Sequence, residues 1–201
     1  MKKYLGLLFF LFTLPLFAKN TILVVGDSLS AGYGIEQQLG WVKLLEAKLQ
    51  AEHFDYKVVN ASISGDTTSN GLSRLPPLLA KYKPSITIIE LGGNDGLRGL
   101  NLENIKNNLQ SIIQLAKDAS SDVLLIGIRL PPNFGSKYTQ TFNENYLILA
   151  KENNIQVVPF LLKGIDENTT LMQSDGIHPR AEAQAMILNN LWPTLKGLLK
   201  Q

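Results

Sequence analysis

The chain contains no cysteine and only two histidines among its 201 residues. The first absence excludes a disulfide framework, a thiol nucleophile, a cysteine-ligated metal site and any lipid attached through sulfur. The second leaves too few imidazoles for a histidine-rich metal centre, so neither metal nor cofactor is expected. Charge is scarce as well, at 18% of residues, and no run of lysines and arginines is present to neutralise a row of phosphates. Nucleic acid is therefore excluded as a partner. Repeats, low-complexity tracts and long linkers are missing, so one domain is expected, and a 45% apolar content is enough for its core. With no coiled-coil heptad, a monomer is the default.

One long apolar run does occur, at the start. Lys2 and Lys3 precede fourteen uncharged residues, mostly Leu and Phe, and then come Ala18, Lys19 and Asn20. A helix of that length spans about 21 Å at roughly 1.5 Å per residue, short of the ~30 Å hydrocarbon core. The layout is that of a secretory signal peptide over residues 1–18, cut after Ala18, which leaves residues 19–201 as the working domain. Leu16 is larger than the residue usual three places before a cut, which keeps an uncleaved anchor as the alternative. Residues 1–18 hold two of the 19 lysines and arginines, so the processed chain has 17 basic and 17 acidic residues and no net charge.

Beyond the leader, short β-branched runs alternate with longer segments of helical period. The strand candidates are residues 21–25, 57–60, 85–91, 123–128 and 156–158. Several are almost continuously apolar, as strands covered on both faces are. Helices are expected over residues 41–51, 102–119, 138–153 and 181–199, the last with an interruption at Pro193. Residues 67–82 read as helical but broken, with Pro76 opening a second helix, because Pro76 and Pro77 lack the amide that continues one. Such alternation implies a mostly parallel sheet flanked by helices, with right-handed crossovers. Ligands in sheets of this kind bind beyond the carboxyl ends of the strands.

Small and polar residues gather at those ends. Gly26-Asp27-Ser28-Leu29-Ser30 follows the first strand, Ser64-Gly65-Asp66 the second, Gly92-Gly93-Asn94-Asp95 the third, and Asp175-Gly176-Ile177-His178 lies beyond the fifth. Any one of these is explained as a turn; together they carry chemistry. A serine hydroxyl becomes a nucleophile when a neutral imidazole takes its proton. A carboxylate must then orient the ring and stabilise its positive charge. Asp175 and His178 are three apart, a spacing that puts both on one face of a turn with the ring directed at Ser28. Backbone amides in the glycine turns and the Asn94 side chain are candidate donors to a developing oxyanion, each worth roughly 3 to 4 kcal/mol.

In that order, these blocks resemble the four conserved blocks of the SGNH (GDSL) hydrolases, and the likeness extends over nearly all of the chain beyond the leader. Residues 26–34, 91–99, 128–131 and 172–179 are similar to the bacterial periplasmic thioesterase I, lysophospholipase and arylesterase group within that family. The resemblance implies an α/β fold, a three-layer α/β/α flavodoxin-like sandwich with a five-stranded, mostly parallel sheet. It implies Ser28 as nucleophile, His178 as base and Asp175 as its orienting acid, with an oxyanion hole from the Ser28 and Gly65 amides and the Asn94 side chain. It further implies a secreted, periplasmic enzyme without cofactor that hydrolyses oxygen esters and thioesters of fatty acids, lysophospholipids among them. The G-x-S-x-G elbow is incomplete because Ser30 stands where glycine is needed, and no nucleotide-binding loop is complete.

Other positions carry weaker expectations. Leu97, Leu100, Pro131 and Phe134, with Pro132 and Tyr138 nearby, lie just past strand ends and are candidates to hold an acyl chain. Gly96 and Gly99 bracket Leu97 and Arg98 and would let that loop move. Asp27, Asp66 and Asp95 are expected to fix turns rather than hold a metal, and Arg98 and His53 to be solvated surface. Two other functions fit the same blocks: a polysaccharide or sugar O-acetyl esterase, and a non-catalytic lipid- or carbohydrate-binding module.

Overall fold

Nearly continuous apolar runs need cover on both faces, and the strands they form here have it. The computed structural model describes residues 20–200; the segment read as a signal peptide lies outside the described residues. Strands β1 (Asn20–Gly26), β2 (Tyr56–Asn60), β3 (Ile86–Glu90), β4 (Asp122–Ile126) and β5 (Gln156–Val158) pair parallel throughout, in the order β2-β1-β3-β4-β5. This is the flavodoxin-like order.

Side chains alternate across the sheet and divide the core in two. Ile22, Val24, Ile88, Leu124 and Ile126 pack with Trp41, Leu45 and Leu49 of α2 (Trp41–Ala51) and with Ile187, Leu191 and Leu195 of α7 (Gln184–Lys196). Leu23, Val25, Ile89 and Leu125 face the other way. They meet Leu75 and Leu79 of α3 (Thr68–Tyr82), Ile105, Leu109 and Ile112 of α5 (Leu102–Asp118), and Phe142, Tyr146 and Leu149 of α6 (Ser136–Asn153). No helix among the described residues is long and apolar enough to cross a membrane.

Two expectations from the prolines are corrected. Helix α3 runs unbroken through Pro76 and Pro77, and α7 through Pro193. Pro76 and Pro77 lie on the exposed side of α3, and Asn189, whose carbonyl Pro193 leaves without a donor, is exposed too. Carbonyls that lose an amide partner there are free to take water, while Leu75, Leu79, Leu191 and Leu195 bury the opposite side. Packing of the apolar face outweighs the lost bonds.

Two short helices were not legible as helices. α1 (Ser28–Ala31) and α4 (Gly93–Leu97) begin directly beyond the carboxyl ends of β1 and β3. The chain moves from β1 outward to β2 and then back across to β3, so the crevice between β1 and β3 is the point where strand order reverses. Ser28 and Asn94 stand on either side of it.

Candidate active site

Ser28 is placed by its neighbours. Asp27 caps α1, with Oδ1 accepting from Leu29 N at 3.1 Å, so Ser28 becomes the first helical residue, whose amide has no partner within the helix. Gly32, in the left-handed region at φ 76°, ends α1 after a single turn.

His178 and Asp175 belong to a loop closed by the bridge between Met172 and Pro179 and by Gln173 N donating to His178 O at 2.7 Å. Within it, Asp175 Oδ1 accepts from Ile177 N at 2.9 Å and from His178 N at 3.0 Å. Its other oxygen is 2.7 Å from His178 Nδ1, and His178 Nε2 is 2.8 Å from Ser28 Oγ. Partial burial works against the Asp175 charge, but the His178 and Ile177 hydrogen bonds outweigh it and hold the carboxyl at about 2. An ionised Asp175 can only accept, so Nδ1 carries the hydrogen and Nε2 is left to accept the Ser28 hydroxyl. The Tyr33 ring covers the imidazole, with centroids 4.6 Å apart, and Gln173 Nε2 ties the Tyr33 carbonyl to the same loop at 2.8 Å.

The proposed oxyanion donors lie at the same rim. Gly65 sits at φ 86° with open space where a side chain would be, a conformation that L residues adopt only under strain. Its loop is bound to β1 through Ala61 N on Val24 O and Ile63 N on Gly26 O. Asn94 Nδ2 donates to Asp27 Oδ2 at 3.1 Å and to Asp66 O at 3.0 Å. Both neighbours are acceptors, which settles the orientation of the amide. Both of its hydrogens are engaged, so donation to an oxyanion requires one of them to be shared.

Several residues that sequence reading did not single out hold this arrangement. Arg74 of α3 donates through Nε to Asp66 Oδ2 at 2.6 Å, through Nη1 to Ala61 O, and through Nη2 to Gly26 O at 3.3 Å. It thereby joins the ends of β1 and β2, and Asp66 serves as its ion-pair partner rather than as a turn-fixing acceptor. Asp95 does accept from a backbone amide, that of Thr68, at 2.8 Å. Arg98, expected as solvated surface, donates to Gly65 O at 3.2 Å. His53 is exposed. Beneath the nucleophile, Glu90 is fully buried and accepts from Ser30 Oγ at 2.7 Å.

A cavity of about 580 Å³ opens beside Ser28, Asn94 and His178. Leu97, Pro131 and Pro132 line it; Leu100 and Phe134 do not. Leu100 lines a separate recess with Asn101 and Asn104, and its carbonyl accepts from Tyr138 Oη at 2.7 Å. The rest of the apolar wall is Leu29, Ile128, Leu130, Phe160, Leu161, Leu162, Met172 and Ile177. Phe160 to Leu162 follow β5, which at three residues is too short to announce what comes after it. A Cβ at Gly96 would lie 2.6 Å from Leu130 Cδ2, so the glycine lets α4 pack against the cavity wall.

Residues 24–186 match the GDSL-like Lipase/Acylhydrolase family. The esterase TesA of Pseudomonas aeruginosa is 51% identical over 182 residues, which cover 90% of each chain. The thioesterase 1/protease 1/lysophospholipase L1 of Escherichia coli K12 is 43% identical over 182 residues, covering 90% of this chain and 86% of that one. Among solved structures, the crystal structure of TesA superposes with a TM-score of 0.88 at 51% identity over 90% of this chain and all of that one. By sequence over most of its length and by fold, the chain belongs to the GDSL-like lipase/acylhydrolase family, whose members hydrolyse ester bonds.

Proposed function

We propose that this esterase acts outside the inner membrane on oxygen esters and thioesters of fatty acids, through an acyl-enzyme on Ser28, with lysophospholipids among its substrates. The continuous hydrogen-bonded line from Asp175 through His178 to Ser28, opening onto an apolar cavity, carries this reading. His178 Nε2 takes the Ser28 proton as Oγ attacks the acyl carbon, and Asp175 stabilises the imidazolium through Nδ1–H. The tetrahedral oxyanion is met by the Ser28 and Gly65 amides and by a shared Asn94 hydrogen. His178 then protonates the departing alcohol or thiol. Water, deprotonated by the same nitrogen, releases the acid and restores Ser28.

The name of the Escherichia coli relative favours thioester and lysophospholipid substrates, and that of the Pseudomonas aeruginosa relative an ester. A wall of Leu, Ile, Pro and Phe suits an acyl chain better than a sugar acetate. An apolar binding module without chemistry would have no use for the imidazole aimed at Ser28. Ser28→Ala is expected to abolish hydrolysis of a chromogenic acyl ester and labelling by an alkyl fluorophosphonate; retained activity would refute the assignment. Residues 1–18 as a cleaved leader support the periplasmic location, and N-terminal sequencing of the exported protein, expected to begin at Lys19, tests it.

A further inference from the structure

Glu90 ends β3 with 0% exposure, and Asp27, 3% exposed, lies against it. Among the described residues neither carboxyl forms an ion pair with lysine or arginine. Two buried carboxyls side by side do not both ionise. Which one keeps the proton is decided by the donors around them. Asp27 accepts N–H at both oxygens, from Leu29 N and from Asn94 Nδ2, each at 3.1 Å. Glu90 accepts at Oε2 alone, from Ser30 Oγ at 2.7 Å and from Asp27 N at 3.3 Å. Its Oε1 is buried without a hydrogen-bond partner, and the Asp27 carboxyl lies beside the Glu90 carboxyl. A buried carboxyl oxygen that lacks a donor, with a second carboxyl beside it, is where a proton is held.

We propose that Glu90 is a neutral acid at neutral pH whose Oε1–H donates to the Asp27 carboxylate, and that this proton positions the Asn94 amide beside Ser28. The inference rests on the reading of Asn94 as an oxyanion donor. Glu90 touches no reacting atom and acts through Asp27, as a positioning residue. Its proton leaves one negative charge, not two, behind the site where an oxyanion develops. It also occupies an Asp27 lone pair, which moderates the hold of Asp27 on Asn94 and frees a hydrogen to be shared.

The other charged or titratable groups on neighbouring elements are accounted for. Tyr146 of α6 donates its hydroxyl to Leu91 O at 2.9 Å, and Arg74 of α3 reaches Gly26 O. Asp95 and His178 act on Tyr146 and Asp27 through space. Burial, and then the Asp27 charge, drive the Glu90 carboxyl well above its usual range, and burial lifts Asp27 to about 6.

Glu90→Gln replaces the neutral acid with an amide that donates and accepts in the same places. It is expected to keep kcat within about threefold. Glu90→Ala, which removes the donor, is expected to lower kcat by roughly tenfold to a hundredfold, less than outright loss of an oxyanion donor. The second signature, which locates the proton, lies in stability against pH. The folded protein binds a proton on Glu90 that the unfolded chain releases above about 4.5. That stabilisation is present in full below 4.5 and is lost as pH rises toward the folded value. Relative to Glu90→Gln, the wild-type folding constant should therefore fall by up to tenfold per pH unit above about 4.5, until the folded carboxyl itself ionises.

Equal slopes, or a Gln variant as impaired as the Ala variant, would overturn the proposal. Should Glu90→Gln fail to fold, carbon-13 NMR of the glutamate carboxyls in the wild-type protein decides: a Glu90 signal at the protonated position at pH 7 supports it and one at the ionised position refutes it. If instead Ser28→Ala stays active, the catalytic reading fails while slope and carbon signal still report where the proton is.

Discussion

Asp175 is the most exposed member of the proposed triad, with 38% of its side chain open against 17% for His178, yet three hydrogen bonds keep it ionised to about pH 2. Its charge therefore persists wherever the enzyme works, and the acid side of the rate profile reports other groups. As pH falls, protonation of Asp27 near 6 removes the charge that holds the Asn94 amide. A general base must also be neutral to take the Ser28 proton, so kcat/KM is expected to fall on acidification; a rate unchanged from about pH 8 to about pH 4 would contradict a histidine base. Asp175→Asn removes the acceptor that selects the Nδ1–H tautomer. The expected loss is on the order of 10² to 10⁴ in kcat with KM little changed, read by steady-state kinetics on a chromogenic ester.

At the scale of elements, the site is carried by helix starts and strand ends that pack closely. α4 brings Asn94 to the rim, and Gly96 on its buried side admits Leu130 and Phe142, whose atoms would lie 2.6 to 3.0 Å from a Cβ there. Gly96→Ala is expected to cost about 1 to 3 kcal/mol in denaturant unfolding, because the core around it is filled. Leu130 also lines the cavity, so its displacement should raise KM for longer acyl esters more than for acetate. Equal effects on both would mean that Leu130 does not contact the chain. α3 shows the same priority of packing over local preference. Pro76 and Pro77 argue for a break, yet Leu75 and Leu79 on the buried face and the Thr67 capping box at its start hold one helix, and Arg74 on it reaches the ends of β1 and β2.

The whole molecule sets selectivity, because the cavity wall is assembled from segments after β1, β3, β4 and β5. Each methylene transferred from water to such a wall contributes about 0.8 kcal/mol, roughly fourfold in kcat/KM, until the cavity is filled. A series of oxygen esters and thioesters from acetyl to palmitoyl is therefore expected to rise from acetyl to medium chains and then level off. A steady fall from acetyl onward would favour the sugar O-acetyl esterase reading. Gain on both ester types in parallel would assign selectivity to the acyl side rather than the leaving group.

Much of the fold was open to reading in one dimension. The apolar runs gave β1, β3, β4 and β5 to within two residues, and the period of Trp41, Leu45 and Leu49 gave α2 to the residue, because both depend on which side chains must leave water. Ser28, Gly65, Asn94, Asp175 and His178 were visible as residue types suited to acyl transfer at successive strand ends. Arg74 and Glu90 were not: an arginine on a helix and an acid at the end of a strand have no local signature of what they will meet. Leu100 and Phe134 were taken for the groove by proximity in sequence, whereas Phe160 to Leu162 form its wall from beyond the last strand. Local chemistry and periodicity thus determined the elements and the reactive groups. Only the tertiary structure decided that an imidazole lies 2.8 Å from a hydroxyl 150 positions away, and which carboxyls lost their water, since both follow from long-range packing that no short stretch of chain encodes.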